Sequence, residues 1–127
     1  PMDSRSTDRC CSKKPLLTER PLMTEDIAQE IQALFKLLSN STRLRMLHTL
    51  VLEGELKVGD LAKKIGMKPQ AVSNQLQKLT DRRILFQRRA GLNVYYSIAD
   101  SCLTGLLEQG LCLIEEAQNN TGERNLK

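Results

Sequence analysis

Two adjacent cysteines, Cys10 and Cys11, are the residues of this 127-residue chain whose type and spacing best suit chemistry. Neighbouring Cα atoms lie about 3.8 Å apart across a trans peptide, shorter than the roughly 4.4 to 6.8 Å of a relaxed disulfide. The two thiols are therefore expected to stay reduced and available. Arg9, Lys13 and Lys14 lie nearby and favour the thiolate, the form that binds soft metals. Such a pair suits trivalent arsenic, antimony or bismuth, or cadmium. The other two cysteines are Cys102 and Cys112. A cysteine within an apolar helical stripe is ordinarily core, and that reading applies mainly to Cys112. The single histidine, His48, sits between Leu47 and Leu50 and reads as a satisfied structural residue rather than a ligand. No phosphate-binding glycine loop is present and one histidine gives no Ser/His/Asp set, so the chain is not expected to be an enzyme.

Length allows one domain with a modest core. Hydrophobic residues make up 40% of the chain, and no apolar run approaches the roughly 20 residues of a membrane helix. The polar start, Pro1-Met2-Asp3-Ser4-Arg5, leads into no apolar segment, so a cytoplasmic protein with no membrane partner is expected. Aromatic residues are 3%, which argues against stacking platforms for single-stranded nucleic acid. The net charge is +4, but it is unevenly spread: residues 57–91 hold nine basic and two acidic residues, while 24–56 hold three and five. A focused basic segment is the footprint of phosphate contact, because counterion release drives binding to duplex DNA. A thiol enzyme built on the vicinal pair leaves that segment unexplained.

Residues 1–23 show no helical period and contain Pro15 and Pro21, so a flexible cysteine-bearing arm is expected. Thr24, followed by Glu25 and Asp26, is a helix start. Ile27, Ile31, Leu34, Phe35 and Leu38 then recur at helical spacing, which predicts a first helix to about Leu38. A second helix is expected from about Thr42 to near Gly54, with Leu44, Leu47, Leu50 and Val51 inward. Lys57 to Ile65 predicts a short third helix closed by Gly66 in the left-handed region. Pro69 suits the first turn of a fourth helix, with Val72, Leu76 and Leu79 inward.

The third and fourth helices, joined by a glycine-containing turn, read as a helix-turn-helix. The fourth is then the recognition helix. Its candidate DNA contacts are Gln70, Ser73, Asn74, Gln75 and Lys78, together with Lys57 and Lys68. Strand-like runs at Ile84 to Arg88 and Val94 to Ile98 predict a hairpin wing, whose Arg88 and Arg89 face phosphate or the minor groove. Asp100 or Ser101 caps a last helix carrying Leu103, Leu106, Leu107, Leu111 and Ile114. The expected fold is mainly α with a small hairpin: a winged helix-turn-helix of five helices and a two-stranded wing over 24–118. A disordered tail is expected over 119–127. Apolar stripes on the first and last helices predict a homodimer through them, which suits an inverted-repeat duplex operator.

Four runs carry a family resemblance. They are Phe35-Lys36-Leu37-Leu38-Ser39-Asn40-Ser41-Thr42-Arg43-Leu44-Arg45-Met46-Leu47, Leu56-Lys57-Val58-Gly59-Asp60-Leu61-Ala62, Gln70-Ala71-Val72-Ser73-Asn74-Gln75-Leu76-Gln77-Lys78-Leu79 and Gly91-Leu92-Asn93-Val94-Tyr95-Tyr96-Ser97-Ile98. Together they resemble the arsenic-repressor/SmtB (ArsR/SmtB) family of metal-responsive winged-helix repressors over roughly residues 24–116. The resemblance implies a dimer that binds its own operator when metal-free and leaves DNA when an effector binds. Members usually carry His before Leu76, where this chain has Gln75.

The resemblance also frames the sensor. Arsenite-sensing members carry a Cys-Cys pair in the arm completed by a third thiol near the start of helix three, but Leu52 to Val58 has no cysteine here. Cys102, Cys112 or solvent is left as the third ligand. The 13 residues from Cys11 to Thr24 span up to about 43 Å extended, so either subunit is within reach. Zinc-sensing members use the last helix, where the matching positions hold Asp100, Cys102, Leu113 and Glu116. Cys102 and Cys112, paired across an antiparallel dimer with Asp100 or Glu116, then give an alternative thiolate-carboxylate site for zinc or cadmium. The implied effector is arsenite first, then cadmium or zinc, with no permanently bound cofactor. The alternative is a repressor of the same fold that senses oxidants or reactive sulfur through its cysteines, without metal.

Overall fold

Thr24 starts the first helix as its sequence requires. Its Oγ1 accepts a hydrogen bond from the Ile27 N–H at 3.2 Å, and Glu25 and Asp26 put negative charge in the first turn. In the computed structural model, which describes residues 13–119, this helix, α1, runs Glu25–Leu38. Asn40 caps α2 (Ser41–Glu53), its Oδ1 accepting from the Arg43 N–H at 3.0 Å. The helix thus starts one residue before the expected Thr42, because the capping side chain is Asn40. Gly54, at φ +88°, ends it.

A two-residue strand, β1 (Leu56–Lys57), precedes α3 (Val58–Ile65). Gly66 closes α3 in the left-handed region at φ +73°, and the Met67 N–H donates to the Ala62 carbonyl at 3.0 Å. Pro69 opens α4 (Pro69–Asp81), where its missing N–H costs nothing. The wing is β2 (Leu85–Ala90) and β3 (Asn93–Ile98), and α5 spans Ser101–Asn119. Gly91 at φ +65° takes the first central position of the two-residue turn, as a type II′ hairpin needs.

The expected two-stranded wing is present, and β1 joins it in a three-stranded antiparallel sheet in the order β1-β3-β2. Leu56 pairs with Tyr96 and Lys57 with Tyr95. Lys57, expected to begin the third helix, is instead in extended backbone at φ −85° and ψ 161°. Two residues are too few for an alternating pattern, so this strand leaves no periodic signal.

Residues 13–99 belong to one compact unit, and α5 belongs to another. In the first, the core is Leu38, Met46, Leu47, Leu50, Leu61, Ala62, Ile65, Val72, Leu76, Leu79, Leu85 and Tyr96. Of the expected inward faces, Leu61, Ala62 and Ile65 of α3 and Val72, Leu76 and Leu79 of α4 are buried there, while Val58 is half-buried. On α2 the buried face is Met46, Leu47 and Leu50, whereas Leu44 and Val51 are partly exposed at 38% and 36%. The correction is a rotation of the stripe toward Met46. On α1 only Leu38 is buried; Ile27 and Phe35 remain about half exposed. The stretch 13–23, expected without structure, holds a 3₁₀ turn at Leu17–Glu19. Glu19 closes it by accepting from the Leu16 N–H at 2.9 Å. Residues 1–12 and 120–127 lie outside the described residues.

Candidate nucleic-acid interface

Burying Val72, Leu76 and Leu79 completely decides which face α4 shows to solvent. Gln70, Asn74 and Lys78 are exposed there, with Ser73 half-buried beside them. The Gln70 Nε2 donates to the Asn74 Oδ1 at 3.2 Å, one turn along the helix. These four expected contacts therefore share an accessible stretch of the helix. Lys68, at the N-cap of α4, is exposed as well. Amide and hydroxyl groups with a lysine at each end form a surface able to bond base edges and phosphates.

Gln75 stands apart from them. It is half-buried, and its Oε1 accepts from the Arg43 Nε at 2.6 Å. The Arg43 Nη1 donates in turn to the Leu37 carbonyl at 2.8 Å. Sequence reasoning missed Arg43. Its partner is 32 positions away, and the only local signal was a cation inside the junction between two helices.

The basic segment reaches the surface almost throughout. Lys63, Lys64, Lys68, Lys78, Arg82, Arg83, Arg88 and Arg89 are all exposed, and Lys57 is half-buried in β1. Lys64 lies 3.4 Å from Glu53. Arg89 is exposed in the wing, and its side chain has no hydrogen bond or ion pair among the described residues. That leaves it available to phosphate.

Arg88 was expected to be equally available, and the structure places it differently. Its Nε and Nη2 donate to the two carboxylate oxygens of Glu55, both at 2.9 Å. The guanidinium also sits over the Tyr95 ring, 4.8 Å from its centroid. The register explains this, because Arg88 and Lys57 are both paired with Tyr95 on the middle strand. Arg88 reaches across that ring to the residue preceding β1. The Arg88 hydrogen bond holds the Glu55 carboxyl below its ordinary value and raises the guanidinium in return.

Cys10 and Cys11 lie outside the described residues. Cys112 is a free, exposed thiol, not the core residue its apolar neighbours suggested. Cys102 is half-buried and disulfide-bonded. A disulfide sulfur carries no thiolate charge, so Cys102 becomes a metal ligand only on reduction. Asp100 accepts from the Cys102 backbone N–H at 2.8 Å, acting as a cap at the start of α5. Glu116 is exposed near the other end of that helix. At about 1.5 Å of rise per residue the two ends lie more than 20 Å apart, so Asp100, Cys102 and Glu116 are not gathered within one chain. Among the described residues no three His, Cys, Asp or Glu side chains come together to hold a metal. His48 is exposed on α2 rather than satisfied in the core. No helix among the described residues is long and apolar enough to cross a membrane.

A helix-turn-helix with an accessible polar helix face, followed by a hairpin with a free arginine, defines a winged-helix DNA-binding protein. Residues 40–85 match the family model described as bacterial regulatory protein, arsR family. The chain is 39% identical over 88 residues to a transcriptional repressor SmtB homolog of Synechocystis, covering 69% of this chain and 66% of that protein. It is 36% identical to a cadmium resistance transcriptional regulatory protein CadC homolog of Staphylococcus aureus, over 77% of this chain and 75% of that one. The crystal structure of the AntR antimony-specific transcriptional repressor superposes with a TM-score of 0.72 at 58% identity, over 86% of this chain and 98% of that one. A homodimeric winged helix-turn-helix domain from Mycobacterium bovis superposes with a TM-score of 0.67 at 27% identity, over 76% and 89%. The chain belongs to the ArsR/SmtB family of winged-helix transcriptional regulators. It is a DNA-binding regulator and not an enzyme.

Proposed function

We propose that this protein is a dimeric repressor that binds an inverted-repeat operator and is released by a thiophilic metalloid or metal. Trivalent antimony and arsenic stand first among the effectors, cadmium and zinc after them. The adjacent thiols of Cys10 and Cys11 carry this reading, because two neighbouring thiolates match the preference of a soft trivalent centre. The antimony-specific name of the 58% identical neighbour supports that choice of effector. Cys102, once reduced, or Cys112 supplies the third sulfur.

The half-exposed Ile27 and Phe35 of α1 give a dimer its apolar contact, and the homodimeric neighbour supports that assembly. Lys68, Gln70, Ser73, Asn74 and Lys78 read the major groove, while Lys57 and Arg89 bind phosphate. A dimer then sets two recognition helices about one DNA turn apart.

The test is fluorescence anisotropy of the reduced protein on an inverted-repeat duplex from upstream of its own gene, titrated with antimonite, arsenite, cadmium and zinc. Release at about one equivalent per subunit, abolished by changing both Cys10 and Cys11 to Ser, is the expected result. Release unaltered in that double variant sinks the ligand assignment.

The disulfide at Cys102 favours a second reading, in which thiol oxidation rather than metal lowers operator affinity. Peroxide or persulfide would then release the duplex, and none of the metals would.

A further inference from the structure

The guanidinium of Arg43 joins three helices. Its own backbone N–H is bound to the Asn40 cap at the start of α2. Its Nη1 takes the Leu37 carbonyl, one of the last acceptors of α1 that no helical N–H satisfies. The neighbouring carbonyls of Lys36 and Leu38 are already taken by the backbone N–H groups of Ser39 and Asn40. A cation at this end also opposes the negative pole of α1. Its Nε then reaches the middle of α4 through Gln75 at 2.6 Å. Both bonds are partly buried, where a charged donor is worth more than at an open surface.

We propose that Arg43 is the positioning residue of the recognition helix, tying α4 through Gln75 to the C-terminal turn of α1 and fixing the orientation of the Gln75 amide. A guanidinium has donors and no acceptor, so it takes one lone pair of the Gln75 oxygen and orients the amide with that oxygen toward Arg43. A glutamine that reads adenine needs its oxygen and its nitrogen together on one base edge. Half-buried and turned toward Arg43, Gln75 is poorly placed to offer both atoms to one base edge, and its role is to hold α4 against the α1–α2 junction. A displacement of α1 is carried to the middle of α4 through two hydrogen bonds. The inference rests on α4 being the DNA-reading helix.

The test compares Arg43→Met, Gln75→Met and their double variant with the unaltered full chain. In the DNA-free proteins, amide hydrogen exchange across residues 72–79 is expected to speed up in both single variants while the thermal midpoint stays close to wild type. On the duplex described above, each single variant is expected to bind about tenfold more weakly, and the double variant no worse than the weaker single. The slope of log K against log salt is expected not to change, because Arg43 touches no phosphate.

Additive losses, unchanged exchange, or a slope flattened by about 0.9 in Arg43→Met would each overturn the proposal. Should Arg43→Met fail to fold, Arg43→Lys decides. It keeps the charge without the fork, and the same exchange pattern is expected from it. A wild-type chain that ignores the duplex would count against the proposed operator, whereas the exchange arm still decides the role of Arg43.

Discussion

Arg88 lies across the Tyr95 ring and grips Glu55 with two hydrogen bonds of 2.9 Å, so one of the two wing arginines is bound to the protein itself. The pair joins β2 to the segment entering β1 over the middle strand of the sheet. An exposed ion pair contributes little to stability, but a bidentate fork stacked on a ring fixes direction well. The wing is thereby braced against the segment between α2 and β1, and the Arg89 side chain is left accessible.

Salt dependence separates the two arginines. Arg89→Gln is expected to flatten the slope of log K against log salt by about 0.9, the share of one phosphate contact, whereas Arg88→Gln leaves it nearly unchanged. Glu55→Gln removes the competitor for Arg88 and is expected to steepen the slope by a similar amount. Anisotropy titrations at several salt concentrations measure all three. Equal flattening by the two arginine variants would mean that Arg88 leaves Glu55 for phosphate.

The same pair has a pH signature. The Arg88 hydrogen bond holds the Glu55 carboxyl below its usual value of 4.5. A depressed carboxylate contributes stability that is present at neutral pH and is lost as pH falls through its lowered value. Carbon-detected NMR titration is expected to show Glu55 ionised below the range of ordinary glutamates, and Arg88→Met returns it to that range. A Glu55 titration that ignores Arg88→Met would exclude the ion pair in solution.

Local chemistry explains which features the sequence disclosed. Thr24, Gly66 and Pro69 act within a few residues of themselves, so the start of α1, the turn after α3 and the start of α4 were legible. The apolar faces of α3 and α4 were legible because each is completed inside one chain. Ile27 and Phe35 repeat with the same period yet stay half exposed, since periodicity records that a face is apolar and not what covers it. The Arg43–Gln75 and Arg88–Glu55 contacts join residues 32 and 33 positions apart, and no spacing rule reaches that far. Charge and a place in the wing therefore assigned Arg88 to DNA, and polarity and a place on the recognition helix assigned Gln75 to it.

Leu76 tests how firmly the recognition helix depends on its core. It is fully buried, as are Leu47, Leu50, Leu61 and Leu79 of the same core. Leu76→Ala removes buried methyl groups and leaves a cavity, for a loss of about 2 to 5 kcal/mol. Urea denaturation followed by circular dichroism measures it. A loss below about 1 kcal/mol would mean that α4 is held mainly by its polar contacts, Arg43 among them.

Two left-handed residues flanking the recognition helix make opposite predictions. Gly66 at φ +73° and Arg83 at φ +63° both sit where a helix ends, but only the first is a glycine. A Cβ added at Gly66 meets nothing within 4 Å, so Gly66→Ala is a backbone effect alone and is expected to destabilise by about 1 kcal/mol. Arg83 already bears that strain, while its N–H donates to the Thr80 carbonyl at 2.9 Å and the Ile84 N–H to the Leu79 carbonyl at 2.9 Å. These bonds hold the chain in place as it turns from α4 into the wing. Arg83→Gly keeps them and relieves the strain, so it is expected to stabilise by roughly 0.5 to 1 kcal/mol, net of the greater freedom of glycine in the unfolded chain. Thermal denaturation of both variants checks the pair. Destabilisation by Arg83→Gly would show that the arginine side chain does more for the fold than its backbone costs.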